Sequence, residues 1–325
     1  MPVQLSLNPM IDAIAAGNVV VLKMSEKCVH TTKLMTDLLT SGDYVDPRVV
    51  RVVNGAADEV TELLTHRFDC ISYTGGVKVS KIVAAAAAKH LTPVLLELGG
   101  KNPAFVTSRG HIPSAARRIA WGKVTGNAGQ MCICPDYVLV DESIKDEFVT
   151  ELAKALDEMY PKSSYAAGNH GGEGCDVGKM ISVEHAQRVV DMLDSTSRVI
   201  YGGEHHDINE KFVAPTVVEV DADAVDATIM REEIFGPILA VISVPGVDKM
   251  IDYVQRNFSS KAEHPLVMYI FSRDKSEQRR IMRCVPSGSC SINDTMKGSA
   301  NYNMPFGGLG YSGKMDEEKP GPPSD

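Results

Sequence analysis

The sequence predicts an α/β protein: a parallel sheet with helices on both faces. Through the first hundred residues, short β-branched runs alternate with stretches of helical spacing. The polar residues gather at the carboxyl ends of those runs, where open parallel sheets bind ligands. From about residue 99 a second strand–helix series begins.

The elements follow in order. Asn18 to Lys23 reads as a buried strand, bounded by Gly17 and Ser25. Residues 28–40 have helical spacing. Arg48 to Val53 is a second strand, stopped by Asn54-Gly55. Residues 57–66 read as a helix, with Asp58 and Glu59 at the favoured acidic end. Ile71-Ser72-Tyr73 is a third strand, turning at Thr74-Gly75-Gly76. Residues 77–90 give the clearest helical pattern and end in Lys89-His90, the favourable charge sign. Pro93 to Leu98 is a fourth strand. In the second series, residues 112–124, 144–159 and 180–194 read as helices. Tyr137 to Val140, Ile238 to Val244 and Leu266 to Phe271 read as strands. Residues 161–178 form a glycine-rich surface loop, and Met315 to Asp325 (MDEEKPGPPSD) reads as a disordered tail.

A length of 325 residues suits two domains or one large one. A net charge of −9 argues against nucleic acid or a membrane surface as the main partner. Seven cysteines without regular spacing fit free thiols in a reducing compartment, so a cytoplasmic location is expected. No run reaches the roughly 18 apolar residues of a membrane span.

Two settings carry chemistry. Cys132 lies in the small-residue stretch Asn127-Ala128-Gly129-Gln130-Met131-Cys132-Ile133-Cys134-Pro135. Glu97 closes an apolar strand in Leu96-Glu97-Leu98-Gly99-Gly100-Lys101. A thiol can be acylated and then released by water, and the water needs a base. Burial between leucines would raise the Glu97 pKa and suit it to that work. A free cysteine is more often a small buried hydrophobe, and a strand-end Glu more often an ion-pair partner. Cys132 and Cys134 have no second pair at metal-binding spacing, so no metal is expected. Thr74-Gly75-Gly76 before a helix could take an anion, although any tight turn uses glycine. Lys23, at a strand end, could meet a phosphate or a ribose. In Arg231 to Pro237 an acidic residue could hold sugar hydroxyls while Phe235 packs on a flat ring; the alternative is a helix end and a turn. His205 and His206 read as solvated, Trp121 as core, and Asp221, Asp223 and Asp226 as a solvent face.

Taken together the motifs resemble the aldehyde dehydrogenase superfamily, over roughly residues 2–314. The residues that carry the resemblance are Lys23 to Glu26, Tyr73-Thr74-Gly75, Leu96 to Lys101, Asn127 to Pro135, Glu232 to Pro237, and Pro305 to Gly310. Lys89 to Pro93 and Cys134 to Leu139 look most like the class 3, fatty-aldehyde branch. The resemblance implies a partial Rossmann-like NAD(P)-binding domain at 1–98 and an α/β catalytic domain at 99–295. A return segment at 296–314 and the tail at 315–325 follow. It implies oxidation of medium- or long-chain aliphatic or aromatic aldehydes to acids, with NAD or NADP as cofactor. Cys132 would be the nucleophile and Glu97 the base for the hydrolytic water. Lys23 and Glu26 would lie by the adenosine ribose, and Thr74, Gly75 and Gly76 near the pyrophosphate. Glu233 would lie by the nicotinamide ribose and Phe235 against the nicotinamide. A homodimer is also implied.

Departures from the family pattern support a second reading. Met1 stands where the Asn-bearing motif before Pro2 is expected, and that Asn helps form the oxyanion hole. Losing one such donor costs on the order of 10²–10³ in rate. The tail replaces a segment that aids oligomerisation, Met24 replaces a usual Pro, Gly76 a usual small polar residue and Ser80 a usual Gly. The alternative is therefore a truncated, impaired relative that binds only nucleotide or a full-length partner.

Overall fold

A computed structural model describes residues 1–314 apart from 167, 169, 171–173, 225 and 302. The expected tail lies outside the described residues, as does part of the 161–178 loop. The chain divides into two compact units, Met1–Leu96 and Glu97–Asp325.

The first unit opens with α1 (Pro2–Ala15), which the sequence reading did not anticipate. Pro2 suits its first turn, where the missing N–H has no partner to lose. The series continues β1 (Val20–Lys23), α2 (Val29–Thr40), β2 (Val50–Val53), α3 (Ala57–Leu63), β3 (Ile71–Thr74), α4 (Val77–Ala88) and β4 (Val94–Glu97). β1 and β2 run parallel, from Val20 opposite Val50 to Lys23 opposite Val53. A small core of Met10, Met24, Met35, Leu39 and Val50 packs around them. Met24, standing where the family has Pro, is thus a core residue. β3 and β4 belong to a separate sheet. The single four-stranded sheet expected from the alternation is therefore absent among the described residues. Alternation gives element type, and it does not say which strands are neighbours.

The second unit is built from β5 (Pro103–Val106), α5 (Ile112–Val124), β6 (Tyr137–Asp141), α6 (Lys145–Met159), α7 (Val183–Asp191), β7 (Arg198–Tyr201), β8 (Thr216–Glu219), α8 (Thr228–Arg231), β9 (Ile238–Val244), α9 (Gly246–Asn257), β10 (Val267–Phe271), α10 (Lys275–Cys284) and β11 (Ser289–Ile292). Among the described residues its sheet runs β11-β10-β5-β6-β9-β8-β7. The neighbours are parallel except for β7 and β8. α5 and α6 contribute to the core on one face, and α7, α9 and α10 to the core on the other. β6 is buried at every position, as a central parallel strand covered on both faces must be. α7 is shorter than the expected 180–194. The Ser182 hydroxyl caps its start, accepting from the His185 amide at 3.3 Å. Asp194 is taken by a turn, where its carboxylate accepts from the Thr196 amide at 2.8 Å.

Candidate active site

Four parallel strands of the second unit set the site. Glu97 to Asn102 lead into β5, Cys132 to Asp136 into β6, Glu233 to Pro237 into β9, and His264 to Leu266 into β10. Because these strands are parallel, all four approaches lie on the amino edge of the sheet. The carboxyl-edge rule therefore does not locate this part of the site.

The loop that leads to Cys132 is strained and tightly held. Asn127, Ala128 and Gly129 take positive φ values of 55°, 53° and 76°. Only glycine adopts that region without cost. At Gly129 a Cβ would stand 2.2 Å from the Gly236 carbonyl oxygen, so backbone contact also excludes a side chain. Gln130 is buried. Its side chain donates to the carbonyls of Asn127 (2.8 Å) and Lys179 (3.1 Å) and accepts from the Ile181 amide (2.9 Å). It thereby ties the loop to the start of α7. Asn102, wholly buried, donates to the carbonyls of Cys132 and Cys134 and accepts from the Val267 amide at 3.1 Å. Cys134 behaves as the core residue of the pair, with its thiol over the Gly122 and Lys123 carbonyls at the end of α5.

Cys132 is half-buried. Burial, then the charges of Glu233 and Glu97, push its thiol up to about 12. The backbone amides of Cys132 and Ile133 oppose that rise. Two carboxylates therefore act on this sulfur, where the sequence reading had emphasised one. Glu97 is half-buried at the end of β4.

Glu233 is raised to about 8, by burial first and then by the charge of Asp136. The Gly100 amide donates to its carboxylate, and Lys101 and Lys123 pull the other way. Gly99 lets the carboxylate come close, since a Cβ there would sit 2.1 Å from Glu233 Oε2 and push it aside. Arg188 on α7 holds the same segment, donating to the carbonyls of Glu233 (3.3 Å) and Ile234 (2.6 Å) and to Glu232 Oε1 (3.0 Å). Arg188 and Glu232 also line an open groove of about 560 Å³. Phe235 follows with φ of 49°, a strained conformation for an aromatic residue.

In the first unit, Lys23 ends β1 and pairs with Glu26 at 2.9 Å. That hydrogen bond holds the Glu26 carboxyl below its usual range. Thr74 ends β3, and Gly75 and Gly76 lead into α4. A Cβ on Gly76 would meet nothing within 4 Å, and no side chain caps the amides of α4. A helix start with uncapped amides is a place where an anion can be held.

The sequence reading missed Asn102, Asp136 and Arg188 as site residues. Asn102 stood one residue beyond a quoted motif and Asp136 inside one, and each is the polar residue just before a wholly buried strand. His206, read as solvated, is half-buried with Nδ1 accepting from the Ala214 amide at 3.1 Å. Trp121 packs partly buried against the core.

The aldehyde dehydrogenase family model matches residues 1–321. The chain belongs to the aldehyde dehydrogenase family. It is 41% identical over 312 residues to the mouse (Mus musculus) "Aldehyde dehydrogenase, dimeric NADP-preferring", spanning 96% of this chain and 65% of that protein. It is 42% identical to "Aldehyde dehydrogenase family 3 comG" of Dictyostelium discoideum, over 96% of this chain and 63% of that one. In structure it is similar to a substrate-bound Staphylococcus aureus AldH, with a TM-score of 0.87, 36% identity, and coverage of 96% of this chain and 65% of the other. The Methanocaldococcus jannaschii GapN complexed with NADP matches with a TM-score of 0.79 and 28% identity, over 96% of this chain and 66% of that one. The class 3 resemblance stands, and the fold is that of aldehyde dehydrogenases. The chain spans about two thirds of the length of the relatives it matches.

Proposed function

We propose that this chain carries the thiol and carboxylate machinery for NAD(P)-dependent oxidation of aldehydes to carboxylic acids. The observation that carries this is the Cys132 sulfur, influenced by both Glu233 and Glu97 at the end of a strained loop. Cys132 Sγ adds to the aldehyde carbon to give a thiohemiacetal. Bound NAD(P)⁺ supplies the hydride acceptor that makes the thioester accessible. Glu97 takes a proton from the water that hydrolyses the thioester, releasing the acid and restoring the thiol. The Cys132 amide, which favours the thiolate, is assigned as the donor to the developing oxyanion.

Lys23 and Glu26 are assigned to the adenosine ribose, Thr74, Gly75 and Gly76 to the pyrophosphate, Glu233 to the nicotinamide ribose and Phe235 to the nicotinamide. Either NAD or NADP suits these groups. The substrates are medium- or long-chain aliphatic or aromatic aldehydes. A homodimer and a cytoplasmic location complete the reading. No helix among the described residues is long and apolar enough to cross a membrane.

A second reading, nucleotide binding without turnover, is favoured by a thiol held protonated well above neutral pH. One experiment separates the two. The purified chain is given an aldehyde and NAD⁺ or NADP⁺, and reduced cofactor is followed. Formation that disappears in Cys132→Ala supports oxidation. Cofactor binding with no reduced product, and no Cys132 labelling by an aldehyde-mimicking electrophile, sinks it and leaves the second reading.

A further inference from the structure

Asp136 is the last residue before β6 and is buried, at 2% exposure. Its carboxylate makes two connections to one segment. Oδ1 accepts from the Ile234 amide at 3.0 Å. Oδ2 pairs with the buried Lys101 ammonium, which donates onward to the Ile229 carbonyl at 2.7 Å. The two connections land on either side of Glu232-Glu233. The Asp136 amide is in turn fixed by the Asn102 carbonyl at 2.9 Å, and the Asn102 side chain holds Cys132.

We propose that Asp136 is the positioning residue for Glu233, holding residues 229–234 at both ends and so fixing where the Glu233 carboxylate stands relative to Cys132. The inference deepens the reading of Glu233 given above and rests on it for its functional meaning. At 2% exposure, Asp136 acts through its neighbours in the chain. Its carboxylate also lies 3.9 Å from the ammonium of Lys123, which has no hydrogen-bond partner among the described residues. Without Asp136 two buried cations would be left to draw Glu233 toward themselves and away from the thiol.

The test is a double-mutant cycle read by alkylation of Cys132, which needs no bound cofactor. The full chain is treated with iodoacetamide at pH 9, and modification of the Cys132 peptide is timed by mass spectrometry. Glu233→Gln, which removes a charge that keeps the thiol protonated, is expected to speed labelling on the order of tenfold, one pK unit being about a tenfold change. Asp136→Ala is expected to approach the same rate. In the Glu233→Gln background Asp136→Ala adds less than about twofold, the range of independent effects. Asp136→Asn keeps an acceptor for Ile234 and is expected to stay nearer the wild-type rate.

An equal acceleration by Asp136→Ala in both backgrounds overturns the proposal, since a merely structural role loosens the loop whatever stands at 233. So does a cooperatively melting Asp136→Ala with the wild-type rate. If Asp136→Ala does not melt cooperatively, Lys101→Gln replaces it, cutting only the Ile229 connection. An intermediate acceleration confined to the Glu233 background supports the proposal, and none, or an equal one in both backgrounds, overturns it. NADPH titration of Glu233→Gln is read separately. Unchanged affinity removes the cofactor role of Glu233 and leaves the positioning result standing.

Discussion

The side-chain nitrogen of Asn102 lies 2.7 Å from the carbonyl oxygen of Cys132 and donates to it. The same nitrogen reaches the Cys134 carbonyl at 3.0 Å. One buried amide therefore holds both ends of the short arc that presents the thiol. Asn102→Leu leaves two carbonyls and the Val267 amide without this partner. A loss on the order of 2–4 kcal/mol is expected from several unmet buried groups, measured by thermal or urea unfolding. Cys132 labelling should lose its dependence on the charges at 97 and 233. A variant as stable as wild type would contradict this account.

Gly129→Ala meets two obstacles together: φ of 76° and a Cβ 2.2 Å from the Gly236 carbonyl oxygen. The loops of Cys132 and Glu233 must then separate. Destabilisation of about 2–4 kcal/mol is expected, the range for a steric clash added to a strained backbone. Gly76→Ala is the matched control, since nothing lies within 4 Å of its Cβ, and its melting temperature should be nearly unchanged.

Glu233 gives a pH signature. Its carboxyl titrates at about 8 in the folded chain, against 4.5 ordinarily. Between those values the folded chain keeps a proton that the unfolded chain releases. The contribution to stability is thus fully present below pH 4.5 and is lost as pH rises toward 8. Glu233→Gln cannot titrate. The stability of wild type minus that of Glu233→Gln should fall across this window by a few kcal/mol and then level. A flat difference would refute the raised carboxyl.

Glu97→Gln removes the weaker of the two charges acting on the thiol. Cys132 labelling at fixed alkaline pH should accelerate, by less than in Glu233→Gln. The reverse ranking would mean that Glu97 lies closer to the sulfur. Hydrolysis should suffer more than labelling, so thioester should accumulate on Glu97→Gln when aldehyde and cofactor are supplied.

Much of this was legible in the sequence, and for identifiable reasons. Cys132 and Glu97 stood out because reactive groups sat among small or apolar neighbours. The apolar runs of β6 and β9 announced themselves because central parallel strands cannot hide polar residues. Asp136 did not, because its key partner, Ile234, is a backbone amide 98 residues away. Asn102 likewise reaches Val267 across 165 residues. Backbone atoms leave no compositional trace. The strained φ values of Ala128 and Phe235 were equally hidden, since neither residue type advertises a left-handed conformation. Glu233 was expected at a ribose, but its raised carboxyl was not legible, because the groups that set it come from the approaches to β5 and β6 and from the end of α5.

The direction of α5 has a consequence for reactivity. It runs back from the carboxyl edge and delivers its last-turn carbonyls, not its amides, to the loop that carries Cys132. A helix end of that polarity favours cations, as do Glu97 and, above about pH 8, Glu233. In the resting state the sulfur is therefore a guarded group, slow to meet stray oxidants or electrophiles. A positively charged group arriving beside it would lift the guard, so the reactivity of the thiol would follow the charge of what is bound next to it.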